Sequence, residues 1–404
     1  MSEWMERHAG ESEPPVGGES TRRPSAAGRN PTEESPLQAP PTAAPESPPA
    51  TVGGASRGDS SHGLQVTTLT ESDHPRWDAF VDACPTATFC HRAGWQTVIE
   101  RAFRHPTWFL MAEGEQGIEG VLPLARVRSR LFGDQLTSLP FCVYGGIAAT
   151  TDRATQALDQ AAVDLAEDLG VGHLEYRHRD FALHDDWPTK DLYVTFRGAI
   201  HEDPDANLKA IPRKQRAMVR KGIDAGLEWS LDDDSARFFP AYAESVRNLG
   251  TPVFAKRYFD ILRDVFGDAC EVLTVTHRGR IVASVLSFYF RDEVFPYYGG
   301  GTGASRGLYA NDFMYWSLME RARQRGCRVF DYGRSKKDTG SYRFKKHWGF
   351  IPEPLHYECR LVREHALRDN SPMNPRYQRF IRLWQRLPLP VANAIGPHIV
   401  RSLG

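Results

Sequence analysis

The chain has 404 residues, room for two domains of ordinary size plus tails, with 41% hydrophobic and 25% charged residues as in a globular protein. Its 50 Lys and Arg against 51 Asp and Glu leave a net charge of −1, which excludes a globally basic nucleic-acid binder and DNA as a partner. Any anion chemistry must come from local clusters.

In chain order, residues 1–62 come first, dense in Pro, Gly and Ser and poor in large aliphatics. Such a segment cannot bury enough apolar surface to offset its conformational entropy, so a disordered tail is expected. From Leu64 onward, strands and amphipathic helices alternate, and they do so twice. In the first pass Trp108–Ala112 and Ile118–Val127 read as strands. Tyr144-Gly145-Gly146, a helix around Thr155–Leu169 and a strand at His173–Tyr176 follow. In the second pass Glu271–Thr276 and Ile281–Phe290 lead to Tyr298-Gly299-Gly300, a helix around Asp312–Arg325 and a strand at Arg328–Tyr332. Gly170 and Gly326 stand where the two helices should stop. The repeated order and the repeated Tyr-Gly-Gly imply an internal duplication, with units at 63–200 and 201–366.

Two basic clusters occur in the second half. Lys209, Arg213, Lys214, Arg216, Arg220 and Lys221 are unbroken by any acid, and a helix opening at Pro212 would place Arg213, Arg216 and Arg220 on one face. A one-sided guanidinium row suits phosphate or carboxylate; a solvated charged face is the alternative. The second cluster, 333–349, is expected as a loop after a strand, with Arg334, Ser335, Lys336, Arg343, Lys345 and Lys346 interleaved with Tyr342, Phe344 and Trp348. A loop at the carboxyl end of a strand is a preferred ligand location in mixed α/β sheets, although Phe344 and Trp348, four apart, equally suit core anchors.

Other chemistries find little support. Gly303-Ala304-Ser305-Arg306-Gly307 sits in a Gly-rich loop and not on a strand-to-helix elbow, against a hydrolase serine. Gly299–Gly303 lacks the Gly-Lys-Ser/Thr ending of a nucleotide-hydrolase loop. Neither the 14 His nor the 6 scattered Cys show metal spacing, so no metal is expected. Reduced thiols, no signal-like apolar core and no apolar stretch near the ~20 residues of a spanning helix suggest a cytoplasmic protein. The last segment, 367–404, carries Arg376, Arg379, Arg382 and Arg386 along one side of a helix, with Tyr377, Phe380, Ile381 and Trp384 on another. That pattern fits an amphipathic helix on an anionic membrane, at its inner face, or a helix docked on the second unit with Arg outward.

Ile211-Pro212-Arg213-Lys214-Gln215-Arg216, Arg220-Lys221-Gly222, Tyr298-Gly299-Gly300, Phe330–Arg334 and Tyr342–Gly349 together resemble the FemAB-like branch of the GNAT N-acyltransferase superfamily. The closing stretch, from Ser371-Pro372-Met373 to Gly404, is similar to FemAB-related proteins of PEP-CTERM/exosortase systems. The resemblance implies an α/β fold of two tandem GNAT-like domains. It implies transfer of an acyl or aminoacyl group, from aminoacyl-tRNA or acyl-CoA, to an amine of a cell-envelope or exopolysaccharide precursor. It also implies that Lys345, of the pair Phe344-Lys345, stabilises the tetrahedral intermediate, since a fixed ammonium beside a developing oxyanion favours the transition state. Asp331 is the side-chain candidate for the base or a structural carboxylate. Tyr298, Gly299, Gly300 and Tyr342 would position substrate, and the two basic clusters would hold an anionic donor or acceptor. Tyr309 departs from the acetyl-CoA grip, standing in Arg306-Gly307-Leu308-Tyr309-Ala310-Asn311 where that pattern has glycine. A different class of reading is a non-catalytic module that binds anionic glycan or lipid precursors at the membrane surface.

Overall fold

The computed structural model describes residues 63–129, 132–367 and 375–403, and the tail at 1–62 lies outside the described residues. The first half runs β1 (Gln65–Thr68), α1 (His74–Ala83), α2 (Gly94–Phe103), β2 (Thr107–Gly114), β3 (Gly117–Ser129), β4 (Gly133–Thr137), β5 (Ala148–Ala149), α3 (Asp152–Leu169) and β6 (His173–His178). Next come β7 (Tyr193–Ala199), α4 (Pro204–Ala210) and α5 (Arg213–Asp224). The second half repeats the first as β8 (Leu227–Asp232), α6 (Phe238–Leu249), α7 (Lys256–Phe266), β9 (Cys270–His277), β10 (Arg280–Phe290), β11 (Glu293–Gly301), α8 (Ala310–Gln324) and β12 (Val329–Asp331). It ends with β13 (Ser335–Lys336), α9 (Gly340–His347), β14 (Ile351–Pro354), β15 (His356–Leu361), α10 (Pro375–Trp384) and α11 (Leu389–Val400).

Local chemistry explains the boundaries. In α3, Ala154, Leu158, Ala162 and Ala166 are buried at four-residue steps. The Thr151 hydroxyl caps that helix on the amide of Ala154, and Gly170 ends it at φ 57°. The β9–β10 hairpin turns through Arg278 and Gly279, both at positive φ, the conformation that matches the twist of paired strands. The segment 333–349 is not all loop. Thr339 Oγ1 accepts from the amide of Tyr342 and starts α9, so Lys345 rides on a helix.

Two mixed sheets result. The first has the order β1-β2-β3-β4-β6-β15, and the second β13-β7-β12-β11-β10-β9-β8. The duplication is therefore stitched by an exchange. β7, which follows the first copy in the chain, pairs with β12 of the second, and β15, at the end of the second copy, pairs with β6 of the first. Between the copies lies a shared aromatic core: Phe89 stacks on Phe288 with centroids 4.5 Å apart, and Trp95 meets Phe266 at 5.1 Å.

α10 and α11 are docked, with residues 368–374 outside the description. Ile381 and Trp384 are buried, and an added Cβ on Gly250 would collide with Ile381. Gly396 packs on Val253, and Arg401 Nη2 donates to Phe103 O at 3.0 Å. Arg379, Arg382 and Arg386 face outward.

Candidate active site

β11 and β12 run parallel and pair only through Glu293–Val294 with Val329–Phe330. Beyond that point they diverge: β11 continues through Tyr297–Gly300, while the chain after β12 turns at Gly333 (φ 67°). A cavity of about 200 Å³ opens between them. Its walls come from both copies and include Phe141–Tyr144, Tyr297–Gly300, Asp331–Arg334, Phe344 and Lys345. Gly300 lets α6 approach closely, since a Cβ there would lie 2.6 Å from that of Ser245. The matching divergence in the first copy, between β4 and β6, retains only about 10 Å³, its lining including Arg177, His178 and Phe181. Of these two equivalent positions, the one in the second copy holds the ligand-sized cavity.

The wall from the first copy is a constrained loop. Leu139 and Phe141 both sit at positive φ, 64° and 68°. Such backbone costs energy, and the surroundings must hold it. Arg177 Nη1 donates to Leu139 O (3.2 Å) and Cys142 O (2.9 Å), and its Nε to Glu175 (2.6 Å). Burial pushes the Glu175 carboxyl up, but Lys190 and Arg177 hold it well below the ordinary range, so the buried charges are mutually compensated. Tyr297 closes the clamp: its hydroxyl accepts from Val143 N (3.0 Å) and donates to Phe141 O (3.2 Å). On the exchanged strand β15, Tyr357 donates to Val143 O and accepts from Arg334 Nη1 at 3.3 Å. Arg334 is buried over the rings of Tyr193 (4.8 Å) and Tyr357 (5.5 Å).

Lys345, only 7% exposed, donates from Nζ to Gly333 O (3.0 Å) and Arg334 O (3.1 Å). Those carbonyls, with the Phe196 ring 5.5 Å away, fix a positive charge at the cavity wall. Asp331 is fully buried. It accepts from Tyr144 Oη (2.9 Å), Thr195 Oγ1 (3.3 Å) and Gly333 N (2.7 Å), with Arg197 Nε at 3.3 Å. Burial raises its pKa, and Arg197 opposes the rise. Among the described residues, the Asn311 Oδ1 and Tyr332 Oη atoms are buried without a hydrogen-bond partner, and both residues line the cavity. A buried acceptor and hydroxyl left open suit a polar ligand.

The other expected site residues are distributed as follows. Gly299, Gly300, Phe344 and Tyr298 line the cavity, but the Tyr298 hydroxyl bonds Tyr258 Oη at 2.8 Å within the aromatic core. Ser335, Lys336, Tyr342 and Trp348 do not line it. Trp348 is a core anchor, donating to Asp312 Oδ1 at 3.0 Å, and Tyr342 meets Phe196 edge-on. The expectation that the arginine helix shares this cleft is corrected. Arg213, Lys214 and Arg220 are exposed on α5, Arg216 folds back onto Ile211 O and Lys209 O, and none reaches the cavity. The buried face of α5 is turned inward by Val219 and by Gln215, which donates to Asp312; the arginines therefore point away. Sequence reasoning missed Tyr144, Arg177, Thr195, Arg197 and Tyr357. Only the repeated Tyr-Gly-Gly signalled the first of these.

Residues 208–346 match an acetyltransferase (GNAT) domain family. The Lipid II:glycine glycyltransferase of Staphylococcus aureus is 25% identical over 182 residues, 41% of this chain, and the chain spans only 42% of that relative's length. Among solved structures, FemX is similar at a TM-score of 0.59 and 14% identity, covering 74% of this chain and 98% of FemX. A conserved protein of unknown function from Bacteroides thetaiotaomicron gives 0.51 at 9% identity, over 74% of this chain and 99% of that one. The fold is therefore FemX-like, a mixed α/β unit repeated in tandem, and the second copy contains the stretch that matches the GNAT acetyltransferase domain family.

Proposed function

We propose that this chain is a Fem-like N-acyltransferase that moves an acyl or aminoacyl group onto an amine of a cell-envelope or exopolysaccharide-related precursor. The observation that carries the reading is the cavity at the β11–β12 divergence, inside the GNAT match, with the Lys345 ammonium pinned at its wall. The amine nitrogen attacks the donor carbonyl carbon, and the carbonyl oxygen becomes negative as the tetrahedral adduct forms. Lys345 and Arg334 stabilise that oxygen in a site removed from water. The adduct collapses as the donor's oxygen or sulfur leaves and takes the proton released by the amine. Asp331, satisfied by its four neighbours, acts by fixing Tyr144 at the wall. The exposed cations of α5 meet the anionic part of a large donor or precursor outside the cavity.

Aminoacyl-tRNA is the favoured donor, supported by the similarity to a glycyltransferase and by Tyr309, which takes the left-handed backbone (φ 55°) at the start of α8. Its side chain there opposes the close approach of a pyrophosphate. Acyl-CoA is the second reading, supported by the GNAT match. Likeness to PEP-CTERM-associated proteins supports an exopolysaccharide setting. Calorimetric titration with CoA and with charged tRNA separates the donors. In single-turnover assays with the donor that binds, Lys345→Ala should lower the rate by about 10²-fold with an unchanged circular dichroism spectrum. Wild-type turnover in that variant removes Lys345 from the mechanism.

A further inference from the structure

Among the described residues, the C-terminal helical pair has an exposed outer face. Among the described side chains of α10, Ile381 and Trp384 are buried. At 100° per residue Arg379, Leu383 and Arg386 fall on the opposite side, with Arg382 at its edge. All four are exposed, Leu383 by 64%. In α11 Ala392, Gly396 and Val400 face the protein. Pro390, Val391, Ala394, Ile395 and His398 face outward, with Val391 39% and Ile395 44% exposed. A helix whose outer side is this apolar would ordinarily be buried. Residues 371–404 hold five arginines and no acid.

We propose that the α10–α11 pair is a docking surface for an anionic lipid bilayer. Leu383, Val391 and Ile395 enter the headgroup boundary while Arg379, Arg382 and Arg386 meet lipid phosphates. Charge selects this occupant. A second copy of the chain would present the same arginines to themselves, whereas an anionic surface attracts each of them. No described helix is long and apolar enough to cross a membrane, so the contact lies on the surface. The placement bears on the cavity. The pair rests on the turn after α6, through Ile381 on Gly250 and Gly396 on Val253, and Ser245 and Leu249 of α6 line the cavity. A bilayer held by this face would lie beside the α6 wall, where a lipid-linked acceptor would arrive. That last step rests on the transferase reading; the docking itself does not.

The test is co-sedimentation of the full chain with vesicles of phosphatidylglycerol and, separately, of phosphatidylcholine. Binding to the first and not the second is expected, weakening as salt is raised. Replacing Arg379, Arg382 and Arg386 together by Ala should lower the partition coefficient at least about tenfold. Val391→Asp with Ile395→Asp should abolish it, and both sets of exposed changes should leave the melting temperature near wild type. Absence of wild-type binding to anionic vesicles overturns the proposal, as does equal binding by the arginine variant. A wild-type dimer that the aspartate variant converts to monomer would also overturn it, by showing a second copy on this face. Vesicle binding without any transferase turnover would sustain the docking and sink only the enzymatic reading.

Discussion

His91 gives the sharpest quantitative prediction. It ends the short turn Phe89–His91, two residues of which line the cavity. Its Nδ1 accepts from Thr88 N at 3.0 Å and its Nε2 donates to Gly146 O at 2.7 Å. An amide N–H can only donate and a carbonyl can only accept, so this bonding requires the neutral ring with its proton on Nε2. Burial is the main cause that lowers the pKa of His91 to about 4, with the positive Arg179 adding to it. The folded state thus binds the proton less well than the unfolded chain, whose histidine titrates near 6.5. The stability this residue contributes is complete above pH ~6.5 and is lost as the pH falls through ~4. The shift amounts to about 3 kcal/mol in all, of which roughly 2.5 kcal/mol is gone by about pH 4.5. Urea unfolding of wild type and His91→Gln at about pH 8 and about pH 4.5 measures it. The variant should be less stable at the higher pH, by roughly 1–3 kcal/mol for its lost bonds. Its further loss on acidification should be smaller than that of wild type by about 2.5 kcal/mol. Equal acid losses in the two proteins would show that His91 is not held neutral by this site, and the reasoning would fall.

Asp312 should behave with the opposite sign. Burial raises its carboxyl to about 6 while Gln215 and Trp348 donate to its Oδ1. The contribution of this group is present below its unfolded value of 3.8 and lost as the pH rises through 6. Asp312→Asn keeps the accepting oxygen, so between about pH 3.5 and about pH 8 its stability should gain on wild type by up to about 3 kcal/mol. An unchanged difference in thermal melts across that range would refute this. Gly145 sits at φ 145°, and a Cβ there would lie 2.8 Å from the Ser138 carbonyl oxygen. Gly145→Ala should therefore cost roughly 1–3 kcal/mol and displace Tyr144, read as a lower unfolding midpoint with slower transfer. A variant as stable as wild type would mean that the loop has slack the structure does not show.

Much of the site was legible before any coordinate. Arg334 follows from a basic, aromatic-rich segment just after a strand, the Tyr-Gly-Gly of β11 from the internal repeat, and Lys345 and Asp331 from the family resemblance, and all of them line one cavity. The arginine helix misled because its spacing shows that Arg213, Arg216 and Arg220 share a face but cannot show where that face points. Gln215 and Val219 decide it by packing inward. Trp348 read equally well as ligand wall or core, and only its bond to Asp312 resolves the choice. Loop 139–146 was opaque for another reason: the groups that hold its positive-φ residues, Arg177, Tyr297 and Tyr357, come from three separate strands.

Taken alone, the amino-acid order determined the strands, the helices with their glycine stops and the duplication. These depend on burial patterns repeating every two or three to four residues, which neighbours in the chain dictate. Tertiary structure decided that β7 and β15 trade sheets, that the first copy supplies a wall to the second copy's cavity, and that α10 and α11 fold back onto α6. Those outcomes turn on which of several chemically similar strands and faces bury the most surface together across long separations. Periodicity carries no record of that competition.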